Sequence, residues 1–349
     1  MPVSFARAVA LALFVPLFAA SNAKAEAPGE VNIYSYRQPY LIDPLLKEFT
    51  AETGIKVNVI YAEKGLIERI QAEGRNSPSD VLLTVDVGNL TQATDADIAQ
   101  PIQSAVIEKA IPPAYRATDG EWIGLTRRAR VVYASKERVK QDSITYEELA
   151  DPKWHGKICV RSGQHVYNVA LIASMIAHHG EQWTEEWLKG MKANLARKPA
   201  GDDRLQVKGV YAGECDLAIG NTYYYMGAML KNDKEPEQKE WANSVNMLFP
   251  NTNDRGTHVN ISGAVVAKYA PHKDNAIKLL EFLASDKGQE MYADVNNEYP
   301  VKDGIPWSKL VQSWGDFKPD PISLNEIAGL RKKASELVDK VGFDDGPSS

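Results

Sequence analysis

The chain has 349 residues, 44% of them hydrophobic, with 40 Lys and Arg against 46 Asp and Glu and a formal net charge of −6 at pH 7. An acidic chain without a basic block is a poor partner for nucleic acid or anionic lipid, whose phosphates select clustered cations. The length approaches that at which one hydrophobic core gives way to two domains, so two lobes are expected.

The N-terminus reads as a cleavable secretory signal over residues 1–25: Arg7, an apolar run from Ala8 to Ala20, then Ala23-Lys24-Ala25 as a small-residue cleavage site. The run contains Pro16 and falls short of the roughly 20 residues that cross a bilayer. Cleavage leaves 324 residues from Glu26, and because the leader carries two cations and no acid, the mature charge becomes −8. Export places Cys159 and Cys215, the only cysteines, in an oxidising compartment, where one disulfide between them is expected; two buried thiols are the alternative.

Strand and helix signals then alternate. Val31 to Ser35 has strand alternation, Ile42 to Thr53 has helical spacing that stops at Gly54, and Ile55 to Tyr61 reads as strand. Leu66 to Glu73 reads as an amphipathic helix and Val81 to Thr84 as a buried strand, an order that predicts βαβ units and a mostly parallel sheet. The basic stretch Arg127 to Arg130 runs into Val131 to Ala134, which leaves the first lobe. Lys157 to Val160 and Leu217 to Gly220 read as strands of a second lobe, with helices at Val169 to Ala177 and Trp183 to Met191. The strand pattern at Val259 to Val266 carries the chain back, and helical patterns at Asn275 to Leu283, Gln289 to Val295 and Ile322 to Val341 close it.

The expected organisation is an α/β clamp: an N-terminal lobe of residues 26–126 and 260–305, a C-terminal lobe of residues 127–259, and a helical segment 306–349 packed on the C-terminal lobe. Ligands in such sheets sit at the carboxyl ends of strands. Three loops occupy those ends: Tyr36 to Tyr40, Ser162 to Tyr167, and Asn221 to Tyr225.

The last of these carries three consecutive tyrosines at a strand-to-helix junction. Adjacent phenols there can become anionic oxygen ligands, which a hard cation prefers over sulfur. The ordinary phenol pKa of about 10 falls when a bound cation favours the charged form, and a helix N-terminus assists by about 0.3–1 kcal/mol. Tyr225 lies roughly 200° around the helix from Tyr223 and is assigned to packing. Tyr34 and Tyr133 read as core rings, and Tyr61 as lining the cleft. His178-His179 close a helix where they can cap terminal carbonyls, His165 falls at the cleft rim and His258 beside the return strand, while Asp202-Asp203 and Asp344-Asp345 read as solvated loop acids. Strand alternation sends Arg128 and Arg130 to one side and Arg127 to the other. Phosphate-binding glycine loops, GxSxG elbows and HExxH motifs are absent from the sequence, so no enzyme class is indicated.

Val31-Asn32-Ile33-Tyr34-Ser35-Tyr36-Arg37, Gly124-Leu125-Thr126-Arg127-Arg128-Ala129-Arg130, Cys159-Val160-Arg161-Ser162, Val166-Tyr167-Asn168 and Asn221-Thr222-Tyr223-Tyr224 resemble the ferric-ion-binding periplasmic proteins of ABC importers. The resemblance covers essentially the whole mature chain. It implies a two-lobed periplasmic binding protein fold of type II and a cleft that takes Fe(III) as transported ligand. It also implies delivery to an inner-membrane ABC permease by a periplasmic, non-enzymatic carrier, and a monomer is the simplest state for a hinged clamp. By this resemblance Tyr167, Tyr223 and Tyr224 supply phenolates. Many relatives have Arg-His-Tyr in the first-lobe loop, whereas this chain reads Arg37-Gln38-Pro39-Tyr40, so the fourth phenolate falls to Tyr40, with Tyr36 as alternative, or to neither. Four phenolates on Fe(III) leave one negative charge, and Arg128 first, Arg161 second, are expected to balance it or to hold carbonate or another small anion. The competing reading keeps the clamp but uses the tyrosines as an aromatic box for a polyamine, or for an anion.

Overall fold

The computed structural model describes Met1 and residues 29–223, 229–230 and 234–347; the leader, Tyr224 and Tyr225 lie outside the described residues. The chain runs β1 (Glu30–Ser35), α1 (Pro39–Thr53), β2 (Lys56–Tyr61), α2 (Leu66–Glu73), β3 (Val81–Val85), α3 (Val87–Asp95), β4 (Ala99–Gln100), α4 (Ala105–Ala110) and β5 (Ile123–Ser135). It continues through β6 (Ile158–Cys159), α5 (Val166–His179), α6 (Glu181–Ala193), α7 (Asp203–Tyr211), β7 (Leu217–Asn221), α8 (Glu237–Asn243), β8 (Val245–Leu248) and β9 (Val259–Ala267). The remaining elements are α9 (Lys273–Ala284), α10 (Asp286–Asn296), β10 (Tyr299–Pro300), α11 (Lys309–Gln312) and α12 (Leu324–Val341).

The strands follow the order β2-β1-β3-β9-β5-β7-β6, with β4 on β9 and both β8 and β10 on β5. In the first half β1 pairs parallel with β2 and β3, as the βαβ pattern requires. However, β9 pairs antiparallel with β3, β4 and β5, so the sheet is mixed rather than mostly parallel as expected, because the returning strand enters between β3 and β5. The wholly apolar start of β3 follows from its position, covered on both faces. The two halves meet along β5. Its first part, Ile123 to Ala129, pairs with β9, and its second, Arg130 to Ala134, pairs with β7. The basic stretch therefore lies at the crossing. β9 returns the chain, pairing antiparallel with β3.

Local signals explain the boundaries. Gly54 ends α1 in the left-handed region at φ 71° and donates to the Thr50 carbonyl. α5 is apolar around most of its circumference and buried along its length, as a helix enclosed by other elements must be. α3 and α7 were not expected from periodicity. α3 (VGNLTQATD) has weak helix formers and is held by the burial of Val87, Leu90 and Ala93. α7 starts because Asp202 accepts from the Leu205 amide as its N-cap.

One apolar cluster lies between β1, β3, α1, α9 and the β9 edge of the first half. A second surrounds β7 and the Cys159–Cys215 disulfide, whose Cα atoms are 5.9 Å apart. A third joins Leu90 of α3, Val169 of α5 and Leu324 and Ile327 of α12, and α12 packs on α5, α6 and α3. No helix among the described residues is long and apolar enough to cross a membrane.

Candidate functional site

The three strand-end loops meet at one cavity of about 600 Å³ between the halves, lined by Tyr36, Arg37 and Tyr40 from the first and by Arg161, Tyr167 and Tyr223 from the second, among others. Tyr167 and Tyr223 are 7% and 8% exposed, and their hydroxyl oxygens lie 3.0 Å apart in a mutual hydrogen bond. Oxygens this close can bond one small cation together at the roughly 2 Å typical of metal–oxygen ligation.

Tyr40 stands at the cavity mouth, 56% exposed. Its place follows from Pro39: proline suits the first helical position, where no amide hydrogen is needed, and holds the preceding Gln38 extended at ψ 147°. Pro39 therefore opens α1, and Tyr40 becomes its second residue. Tyr167 is likewise the second residue of α5, and Tyr223 is the second helical residue after β7. Tyr40 and Tyr167 thus occupy equivalent positions at helix N-termini, where the backbone dipole favours negative charge. The surrounding protein raises the Tyr40 phenol above its ordinary pKa, while Arg204 and Arg37 pull it down.

Tyr36 has a different role. Its hydroxyl oxygen accepts from the Leu66 and Ile67 amides at 2.8 and 3.1 Å, serving as the cap that Gly65 cannot provide to α2. Burial raises its phenol pKa. Tyr61 bonds Asp43 and lines a neighbouring cavity across the 36–40 loop, so it does not line the cleft as expected. Tyr34 and Tyr133 are core rings with bonded hydroxyls.

Behind the phenols lies a network of buried charges. The guanidinium carbons of Arg161, Arg128 and Arg130 sit 5.2, 5.3 and 5.8 Å from the Tyr167 ring centre. Arg130 donates to Asp203 and Asn168 at 2.7 Å and to Asn221 at 3.2 Å. Arg161 pairs with Asp203 at 3.3 Å, and Asn168 donates to the Arg161 and Ser162 carbonyls, fixing the loop before Tyr167. Arg37 donates to Glu298 at 2.8 and 3.0 Å, and Ser262 accepts from both Arg37 and Arg128. Arg128 lies 3.6 Å from Asp86 and does not line the cleft; Arg161 does. Arg127 points to the other side, bonding the Pro300 carbonyl and Tyr115.

Burial alone would neutralise these groups, but their pairing outweighs it for most. Burial opposes charge on Glu298 and Asp203, yet Arg37 and Arg130 respectively hold their carboxyls below the usual range. Glu298 in turn holds the Arg37 guanidinium above its ordinary value against burial. Asp86 is the exception: burial raises it despite Arg128.

Several polar residues differ from expectation. Asp203 is fully buried between two arginines and accepts from the Asn221 amide, and so is no solvated loop acid. Asp344 accepts from Ser162 and the Gly163 amide, anchoring the loop before Tyr167. His178 and His179 bond Asp320 and Glu147, while the Gly180 amide takes the helix-end carbonyl they were expected to cap. His165 caps α5, accepting from the Tyr167 amide at 3.3 Å, and burial with Arg161 beside it lowers its pKa to about 3. Arg204, on the cleft wall, was not singled out from the sequence; the Asp202 it pairs with hid it in an acidic pair. Among the described residues no group of three His, Cys, Asp or Glu could hold a metal, so metal binding would rest on phenol oxygen.

Residues 34–290 match the profile of a family described as bacterial extracellular solute-binding protein. The chain is 45% identical over 324 residues to iron uptake protein A1 of Synechocystis sp., covering 91% of this chain and 89% of that protein. Among solved structures it is similar to apo ferric ion-binding protein A of Pasteurella haemolytica, with 53% identity, TM-score 0.85 and coverage of 90% and 98% of the two chains. It is also similar to a Trichodesmium protein solved with iron and citrate, with 44% identity, TM-score 0.85 and coverage of 90% and 100%.

Proposed function

The chain belongs to the bacterial extracellular solute-binding protein family, with the two-lobed type II periplasmic binding fold, and we propose that it is the periplasmic ferric-iron carrier of an ABC importer. It captures Fe(III) in the interlobe cleft and delivers it to an inner-membrane permease as a monomer, without catalysing a reaction. The lobes are residues 26–126 with 260–305, and 127–259; residues 306–349 follow as the helical segment and residues 1–25 as a leader removed on export. The observation that carries the reading is the buried Tyr167–Tyr223 pair, its oxygens 3.0 Å apart on the wall of a cleft that Tyr40 also faces.

Tyr167, Tyr223 and Tyr224 are the second-lobe ligands and Tyr40 the first-lobe ligand. Tyr36 is set aside because its oxygen already caps α2. Arg161, on the cleft wall, is placed to balance the phenolates or hold carbonate or another small anion; Arg128 contributes charge from behind the Tyr167 ring. The same guanidiniums disfavour a polyamine in the cleft, since like charges in a poorly solvated site repel strongly.

Adding Fe(III) to the purified protein is expected to give a visible phenolate-to-iron charge-transfer band, bleached by citrate or dithionite. Tyr167→Phe and Tyr223→Phe should each weaken binding by more than about 100-fold, beyond the 10–100-fold typical of losing an outer-shell partner. Tyr36→Phe should keep the band. A colourless protein whose thermal stability ignores Fe(III) would end the iron reading.

A further inference from the structure

The Cys159–Cys215 disulfide brackets the Tyr167–Tyr223 pair: each tyrosine lies eight residues beyond one of the two bridged cysteines. Cys159 ends β6 and leads into the loop of Arg161 and Tyr167, while Cys215 precedes β7, which leads to Tyr223. β6 has only two residues to pair with β7, Ile158 with Leu217 and Cys159 with Ala218, fewer than the roughly three to ten of an ordinary strand. The bridge therefore ties together, at their roots, the two segments that carry the paired phenols.

A second route runs through α7. Gly209 of this helix lies directly on the bridge, where a Cβ would stand 3.1 Å from the Cys159 sulfur and 3.2 Å from that of Cys215. At the start of α7 the buried Asp203 accepts from the Asn221 amide at 2.9 Å, two residues before Tyr223, and from Arg161 at 3.3 Å, six before Tyr167. Arg130, bonded to the same carboxylate, also donates to Asn168, next to Tyr167. One carboxylate thus holds both tyrosine segments, and the helix that presents it is seated on the bridge.

Metal ligands need supporting contacts that hold them within about 0.5 Å of their working positions. We propose that the disulfide is a positioning element of the iron site: through β6, β7 and α7 it fixes the spacing at which the Tyr167 and Tyr223 oxygens meet one ion. Both cysteines are at most 2% exposed, and thiol–disulfide exchange needs access to a sulfur, so the bridge is a permanent brace of the folded protein and not a redox switch. The inference deepens the ferric reading and rests on it.

Fe(III) binding is to be compared in wild type and three variants, by citrate competition and by the charge-transfer band. In the double variant Cys159→Ala, Cys215→Ala the affinity should fall about 10–100-fold, the loss typical when contacts that orient metal ligands are removed, and the band should shift. Gly209→Ala, which keeps the disulfide but pushes α7 away from it, should shift the band the same way with a smaller loss of affinity. Leu279→Ala, which hollows the first-lobe core, should lower Tm while leaving band and affinity unchanged. A double variant with wild-type band and affinity overturns the proposal, as does an equal loss in Leu279→Ala, which would show that affinity follows stability alone. If the double variant does not fold, Gly209→Ala decides by itself, and an unmoved band there overturns the proposal. A wild type without the band sinks the ferric reading and this one with it, whereas a coloured wild type matched by its variants sinks only this one.

Discussion

A phenol can serve a cation where its oxygen faces the cleft rather than capping a helix, and this protein separates its tyrosines on that basis. Tyr167 and Tyr223 bond each other on the cleft wall, whereas Tyr36 is committed to two amides of α2. The motif around Tyr167 and Tyr223 was legible because each tyrosine follows a short apolar strand. The ion network behind them was not, because Asp203, Glu298 and Asp86 look like any surface acid until their neighbours are known. His258 yields a prediction at the same scale. Its ordinary pKa is about 6.5, and in the folded protein burial, then Arg130, Arg128, Arg255 and His178, depress it to about 3. Between those values the unfolded chain holds a proton that the folded chain does not. Stability is therefore complete above pH 6.5 and lost as pH falls, by about 1.4 kcal/mol per unit for this group. In the iron-free protein, His258→Gln should flatten the fall of stability between pH 6.5 and 5. Parallel pH profiles for variant and wild type would show that the histidine titrates normally.

At the scale of elements, the crossing of β5 and β9 is the point most sensitive to added volume. A Cβ on Gly263 would stand 2.2 Å from the Ile123 carbonyl oxygen and 2.9 Å from Leu90, and the former is backbone that cannot step aside. Gly263→Ala should cost roughly 2–3 kcal/mol and lower Tm by about 3–5 °C. Gly124→Ala, whose nearest neighbour is the side-chain tip of Ile261 at 3.1 Å, should do less. Equal melting curves for Gly263→Ala and wild type would refute this account of the crossing. Periodicity revealed β1, α2 and β9 because each has a single apolar face or run. It missed α3 because that helix is held by tertiary burial against its own weak propensity, and α7 because its acidic N-cap resembled a solvated loop.

For the whole molecule, a clamp must hold its lobes together loosely enough to move, and α12 is placed to set that balance. It packs on α5 and α6 of the second lobe, yet Arg331 donates to the Gly88 carbonyl of α3, in the first, at 2.8 Å. Gly88 makes this approach feasible, since a Cβ there would lie 2.1 Å from the Arg331 guanidinium carbon. A hydrogen bond from a charged donor contributes about 1.5–3 kcal/mol when buried; half-buried, roughly 1 kcal/mol remains, about a fivefold change in the equilibrium between lobe arrangements. Arg331→Ala, and Gly88→Ala from the opposite side, should therefore raise the radius of gyration of the iron-free protein in small-angle X-ray scattering. The iron-loaded forms should coincide with wild type, because the proposed ligands Tyr40 and Tyr167 would then hold the clamp without the arginine. If iron-free Arg331→Ala and wild type scatter identically, α12 is a passenger on the second lobe, and the interlobe balance must lie with the crossing strands alone.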